Sequence, residues 1–283
     1  IVTPKRTAHM PGGTSFYFSH AIKQFDDIDY ALITALGEED MHVVDEMRRL
    51  GLQVEVMPSR QSVYFENIYG ENQDNRTQRV LAKADPFTVD YLQDIEAHIF
   101  HLGSLLADDF SLEVVKYLSG KGKLSIDSQG YLREVRGTDV FAVDWKQKHE
   151  FLKYATFLKA NEQEMYSLTG YNDVEKAAKE LHSWGVKEVL LTLGSNGSVI
   201  YDGEQFHLIP AYKPTEIVDA TGCGDTYMTG YLYCRAKNKS IDEAGRFAAA
   251  ISTLKIEAMG PFAGTRADIE RCMQEAEQTF PSL

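Results

Sequence analysis

Glu216-Ile-Val-Asp219-Ala-Thr221-Gly222-Cys223-Gly224-Asp225-Thr-Tyr-Met-Thr-Gly230 runs from a strand-like stretch through a glycine turn into a helical pattern. Gly222 and Gly224 permit torsions barred to other residues and let a ligand approach the main chain closely. The amides of Gly222, Cys223 and Gly224 then converge on one point. A helix beginning there adds unpaired N–H groups and the positive end of its dipole. Such a turn is an anion hole, and phosphate is its natural guest. Asp225 stands at the rim, where a carboxylate can take a proton from a hydroxyl in line with a phosphoryl group. Aspartate also caps helices at such places, so the string alone leaves two readings, a base or a cap.

Outward from this segment, short apolar runs alternate with amphipathic stretches from residue 97 onward. That is the pattern of parallel strands joined by crossing helices, an α/β sandwich. Strands are predicted at Tyr30–Leu36, Ala97–Ser104, Lys123–Asp127, Thr156–Lys159 and Lys187–Leu193. Helices are predicted at Met41–Leu50, Ser111–Leu118, Asp173–Trp184, Thr226–Ala236, Ile241–Ile256 and Ala267–Glu277, with Gly51, Gly185 and Gly260 where helix ends belong. Residues 54–84 break the alternation. They hold three strand-like runs, Val54–Met57, Ser62–Tyr69 and Thr77–Lys83, with turn residues Glu71–Asn75 between the last two. A small antiparallel sheet is expected there, with Ile1–His9 as an added edge. It reads equally as a lid over a cleft and as a β excursion with no gating role.

The chain has 283 residues, 43% of them hydrophobic, which suits one large domain or one domain with a small appendage. A net charge of −13 argues against nucleic-acid or anionic-membrane partners. It does not exclude ATP, because backbone amides and Mg2+ supply positive potential locally. Cys223, Cys234 and Cys272 are odd in number and widely spaced, which suits reduced thiols in a cytoplasmic protein and gives no zinc spacing. No stretch reaches the length of a membrane span, and the N-terminus lacks the apolar core of a signal peptide. The numbering opens on Ile1 rather than Met, so a segment upstream is expected.

Asp219-Ala-Thr-Gly-Cys-Gly-Asp225 resembles the D-T-x-G-A-G-D signature of the ribokinase-like (pfkB) carbohydrate kinases. Ala220 and Cys223 depart from its commonest letters, but both are small and the hole works through main-chain amides. Lys159-Ala-Asn161-Glu-Gln-Glu164 resembles the family's N-x-x-E motif. There Asn161 would face the phosphates and Glu164 would hold Mg2+ through water. The same letters also spell a capping box. Thr192-Leu-Gly194-Ser195-Asn-Gly197 resembles the segment that borders ATP, and Thr221 would join it. As a lone glycine loop it is a hairpin turn. Ala248–Ala250, with the helix leading to Gly260, is similar to the one flanking the adenine pocket, or is plain helix packing.

Nearer the start, Pro11-Gly12-Gly13-Thr-Ser resembles the family's G-G substrate signature, and Leu36-Gly37-Glu-Glu-Asp40 its G-x-x-D. His101-Leu-Gly103-Ser104 and Ile126-Asp127-Ser128 end strands that face the expected cleft. The resemblance covers essentially the whole chain. It implies a doubly wound, mostly parallel central sheet with helices on both faces in a single domain, 1–283, with a β lid from about 1–10 and 54–84. It also implies ATP and Mg2+ as cofactors and leaves open a monovalent cation near Asp219.

Two departures touch the acceptor. Phe16-Tyr17-Phe18 stands where the family has a hydroxyl-binding asparagine, and the family's opening strand, with its substrate aspartate, would precede Ile1. A sugar or polyol hydroxyl, bound near Gly12, Gly13, Tyr17 and Asp225, is the first expectation. A nucleoside stacked on the aromatic cluster is the second, unless those rings fill the core of a helix beginning near Ser15. A ligand-binding regulator without turnover is the third, though the acid and glycines it would have lost are present. A dinucleotide oxidoreductase would need G-x-G-x-x-G between first strand and helix, which the chain lacks. Arg60, Arg76 and Arg79 could meet phosphate on lid closure but read better as solvating a strand surface. An exposed lid sheet also suggests a homodimer.

Overall fold

The computed structural model describes residues 2–3, 6–7, 9–69 and 76–279. In chain order the strands are β1 (Val2–Thr3), β2 (Arg6–Thr7), β3 (Leu32–Leu36), β4 (Val54–Pro58), β5 (Tyr64–Tyr69), β6 (Arg76–Ala82), β7 (Ile99–Leu102), β8 (Lys123–Asp127), β9 (Arg133–Arg136), β10 (Asp139–Ala142), β11 (Phe157–Asn161), β12 (Glu188–Thr192), β13 (Ser198–Tyr201) and β14 (Phe206–Ile209). The helices are α1 (Gly13–Ile22), α2 (Met41–Arg49), α3 (Val89–Leu92), α4 (Leu112–Ser119), α5 (Lys148–Leu152), α6 (Glu162–Thr169), α7 (Val174–Ser183), α8 (Cys223–Ala236), α9 (Ile241–Ile256) and α10 (Arg266–Thr279).

The central sheet has the order β14-β13-β12-β11-β8-β7. Its strands β7, β8, β11 and β12 are parallel, and β12, β13 and β14 form an antiparallel meander. Successive side chains of a strand point to opposite faces, and here both faces are apolar. Leu158 and Val189 enter one core with α4, α5, α6 and α7. Phe157 and Leu190 enter the other with α1, α8, α9 and α10. Helices on both faces make the sheet doubly wound, as expected from the sequence.

Helix α8, which begins at the glycine turn, is bound to this sheet at two levels. Tyr227 Oη and Ser198 Oγ lie 2.7 Å apart. Farther along, Tyr231 donates to Glu188 at 2.5 Å, and Arg235 closes an ion pair with the same carboxylate at 2.6 Å. These contacts fix the helix against β12 and β13, and therefore fix where its N-terminus points.

The second sheet has the order β2-β1-β5-β6-β10-β9 and is antiparallel apart from the β1–β5 pair. It includes the expected N-terminal edge. One expected member is absent. Val54–Met57 pairs in parallel with β3, from Leu32↔Val54 to Leu36↔Pro58, so β3, α2 and β4 form a β-α-β unit around a separate two-stranded parallel sheet. Its place in the lid is taken by β9 and β10, which the sequence reading did not assign. The expected turn Glu71–Asn75 lies outside the described residues.

Candidate active site

Three parallel strands and one helix converge on a single cavity. Asp127 ends β8, Asn161 ends β11 and Thr192 ends β12, so all three side chains stand at the carboxyl edge of the sheet, the usual ligand edge of an open α/β layer. The N-terminus of α8 faces them, and the Val63–Asn67 stretch and Gln78 of the lid cover one end. The enclosed volume is about 1840 Å3. That exceeds the roughly 300–1,000 Å3 of a single small-molecule pocket, which leaves room for an acceptor and a donor together.

Gly222 is the N-cap of α8, in the left-handed region at φ +77°, and no side chain caps the helix. A Cβ here would stand 2.2 Å from the Tyr17 ring. The turn therefore needs glycine for its torsion and for its closeness to Tyr17. Gly224, by contrast, is ordinary helix, and its missing side chain makes room for Lys159, whose Nζ would lie 3.1 Å from a Cβ there.

The amides divide differently from the sequence expectation. The N–H of Cys223 turns back to the Ala220 carbonyl at 3.2 Å, because the left-handed Gly222 closes a tight turn there. No hydrogen bond among the described residues takes up the N–H groups of Gly222, Gly224 or Asp225. Burial pushes the Cys223 thiol up to about 11, so it stays protonated at neutral pH.

Asp225 occupies the third position of α8, with the Thr14 hydroxyl nearby. It is no cap. Burial pushes its carboxyl up to about 6, and Asp127 adds to that. Lys159, the nearby Thr14 hydroxyl and Arg133 pull the other way. Lys159 and Asp127 form a buried ion pair at 2.9 Å. Burial opposes the charge on Lys159, but Asp127, Glu164 and Asp225 together raise its affinity for the proton. Burial alone would raise Asp127, yet the Lys159 ammonium brings it below the ordinary range. The pair therefore stays ionised, and it sets the field in which Asp225 works.

The other expected residues are distributed as follows. Gly12, Gly13, Tyr17, Asn161, Thr192, Gly194, Ser195, Gly197 and Thr221 all line the cavity. Gly194–Asn196 forms the bend between the antiparallel β12 and β13, so the expected hairpin turn is also the cavity wall. Glu164 is not at that wall. Its carboxylate is buried and accepts from Asn161 N–H at 2.8 Å and Ser128 Oγ at 3.3 Å, completing the capping box of α6. Glu162, two residues before Glu164, does line the cavity.

Phe16 packs toward α2 and β3, and Phe18 stacks on His101 at 5.0 Å. Only Tyr17 of the aromatic cluster reaches the cavity, and it is 3% exposed. Arg60 pairs with Asp85 and Arg79 with Glu66 and Asp139, while the Arg76 side chain lies outside the described residues. Arg246 of α9 lines the cavity, and so does Arg133 of β9. Arg133 donates to Leu105 O and to Gln78 of β6 and lies 5.4 Å from the Phe65 ring, joining lid to core.

A preorganised anion hole beside a buried carboxylate, on the ligand edge of an α/β sheet, is the apparatus of a phosphotransferase. The chain belongs to the pfkB family of carbohydrate kinases, whose model matches residues 3–267. It is 28% identical over 202 residues to a cytidine kinase of Thermococcus kodakarensis, with 68% of each chain covered. Among solved structures it is similar to a pyrophosphate-dependent kinase in the ribokinase family determined as a sulfate complex, at 29% identity and TM-score 0.83, with 95% of each chain covered. A pyrophosphate-dependent kinase of that family complexed with a pyrophosphate analog and myo-inositol gives 26%, 0.82 and 95% of each chain. The kinase class and the ribokinase-like fold expected from the sequence are borne out.

Proposed function

We propose that this kinase transfers the γ-phosphoryl group of ATP to a hydroxyl of a small sugar or polyol, with Asp225 as the base. The observation that carries this reading is the position of Asp225, whose carboxylate is buried and set one residue beyond the free N–H of Gly224. A hydroxyl held by Gly12, Gly13 and Asp225 loses its proton to Asp225 as its oxygen attacks. The free amides of Gly222, Gly224 and Asp225 stabilise charge on the phosphoryl oxygens, each removable donor contributing ~3 kcal/mol. Lys159 adds a fixed positive charge beneath the same turn.

ATP is favoured as donor by the apolar side chains in the cavity lining, Ile217, Ala249 and Ile256. A base ring would use that surface, whereas pyrophosphate alone would not reach it. Mg2+ would supply charge neutralisation across the donor phosphates. Among the described residues no three His, Cys, Asp or Glu side chains gather as a metal cage, which fits a cation that keeps most of its water. Glu162, or Glu164 from behind the capping box, would reach it through water.

The lid covers the acceptor end, and its closure excludes water that would otherwise hydrolyse the donor. Exposed Leu81 and Phe141 on lid strands suit a homodimer through that sheet. No helix among the described residues is long and apolar enough to cross a membrane, and the free cysteines suit a reducing cytoplasm.

The pyrophosphate-dependent structural neighbours favour a second reading of the donor, and the cytidine kinase relative favours a nucleoside as acceptor. A matrix of ATP and pyrophosphate against ribose, myo-inositol and cytidine separates these readings. The expected result is turnover with ATP and a sugar or polyol. Turnover with pyrophosphate alone would replace the donor, and turnover with cytidine alone would replace the acceptor. Binding without turnover in every cell would leave a regulator.

A further inference from the structure

The family resemblance leaves open a monovalent cation beside Asp219, and the residues there do not fit one. Lys255 of α9 projects its ammonium into that place with 0% side-chain exposure. Its Nζ donates to the Asp219 carbonyl at 2.7 Å and lies 3.2 Å from Asp219 Oδ2. These are the hard oxygens that an ion of potassium size would need, and the lysine already holds them.

The same groups open the anion hole. Asp219 Oδ1 accepts the Thr221 N–H at 2.9 Å, and the Gly260 N–H approaches Oδ2 at 3.4 Å. Lys255 Nζ also lies 5.7 Å from the centre of the Tyr17 ring, and it is this ring that sits against Gly222. The ammonium therefore touches both supports of the 219–225 turn, the aspartate that starts it and the ring that backs it. Ser252, one turn before Lys255, donates to the Cys223 carbonyl at 3.1 Å and ties α9 to the same turn.

We propose that Lys255 is a positioning residue, a built-in ammonium that replaces a diffusible monovalent cation and holds the phosphoryl-binding turn in its working shape. The inference rests on the phosphotransfer reading above. A buried charge that served stability alone would leave kcat untouched in a variant that still folded, whereas a charge that shapes the anion hole acts on kcat and spares acceptor KM.

The test measures initial rates of the full chain in tetramethylammonium buffer, with and without KCl, NaCl or NH4Cl. Wild type is expected to show the same kcat in all of them. Lys255→Ala is expected to lose kcat on the order of 100-fold, as when a preorganised electrostatic contact is removed, with acceptor KM little changed. K+ or NH4+ entering the vacated space should restore a large part of the rate and raise the melting temperature of the variant. If Lys255→Ala fails to fold, Lys255→Gln removes the charge at similar length and should show the same loss of kcat. Stimulation of wild type by K+ or NH4+ would overturn the inference, as would a folded Lys255→Ala that no cation restores, or a Lys255→Gln with full activity. Absence of turnover by wild type in every buffer would instead sink the phosphotransfer reading beneath it.

Discussion

Asp225→Asn is expected to lower kcat by about 10³-fold, the middle to upper range for a removed general base, while making the protein harder to unfold at neutral pH. The two effects have one cause. Burial holds the Asp225 carboxyl at about 6, against an ordinary 3.8. A folded-state value above the unfolded one means that folding favours the protonated acid. The stability this contributes is fully present below about pH 4 and is lost as the pH rises through about 6. At roughly 1.4 kcal/mol per tenfold change in proton affinity, the charge costs on the order of 3 kcal/mol at pH 7.5.

Asparagine keeps the shape and removes that cost, so the thermal midpoint at pH 7.5 should rise, and the difference from wild type should vanish near pH 4. The same ionisation governs catalysis. Wild-type kcat/KM is expected to fall about tenfold per pH unit below about pH 6, because only the ionised carboxylate accepts the proton. Rates and melting curves of the two proteins across pH 4–8 check all of this. A variant that keeps near-wild-type kcat would remove Asp225 from the chemistry.

Lys159→Met is expected to have the second-largest effect, again on two observables. The Lys159–Asp127 pair is buried, at 7% and 5% side-chain exposure. Removing one partner of such a pair typically costs about 3–5 kcal/mol, because the other charge is left uncompensated. It also removes a pull that keeps Asp225 from rising further, so the acid limb of the rate profile should move to higher pH and activity at pH 7 should fall. Asp127→Asn added to Lys159→Met should recover much of the stability, since the Asp127 charge is no longer left without its ion-pair partner, but not the rate. Recovery of both by the double variant would show that Lys159 serves folding alone.

The parts of the site that were legible in the sequence are those written locally. Gly222 and Asp225 lie three residues apart, and a glycine turn opening a helix is a short-range signal. The structure moved only its details, starting the helix at Cys223 rather than Thr226 and turning the Cys223 amide away. Lys159 was not legible as a site residue. It sits among the apolar residues of β11, and its partner Asp127 is 32 residues away. The two meet only because the parallel register sets Lys159 opposite Asp127.

Lys255 was hidden for a similar reason, as a lysine inside the apolar run of α9 whose partner Asp219 is 36 residues distant. The misplaced strand teaches something else. Tyr30–Leu36, Met41–Leu50 and Val54–Met57 already spell strand, helix, strand, the sign of a parallel crossover. Grouping Val54–Met57 with the runs that follow it obscured that sign. β9 and β10 escaped notice because four-residue strands rich in charge, such as Arg133–Arg136, carry little of the alternation that marks a half-buried strand.

The most direct measurement is a crystal structure of the protein with a non-hydrolysable ATP analogue and a turned-over acceptor. The account predicts the terminal phosphoryl group within hydrogen-bonding reach of the Gly222 and Gly224 amides, and the acceptor oxygen against the Asp225 carboxylate. A terminal phosphoryl group seated away from residues 222–225 would contradict it.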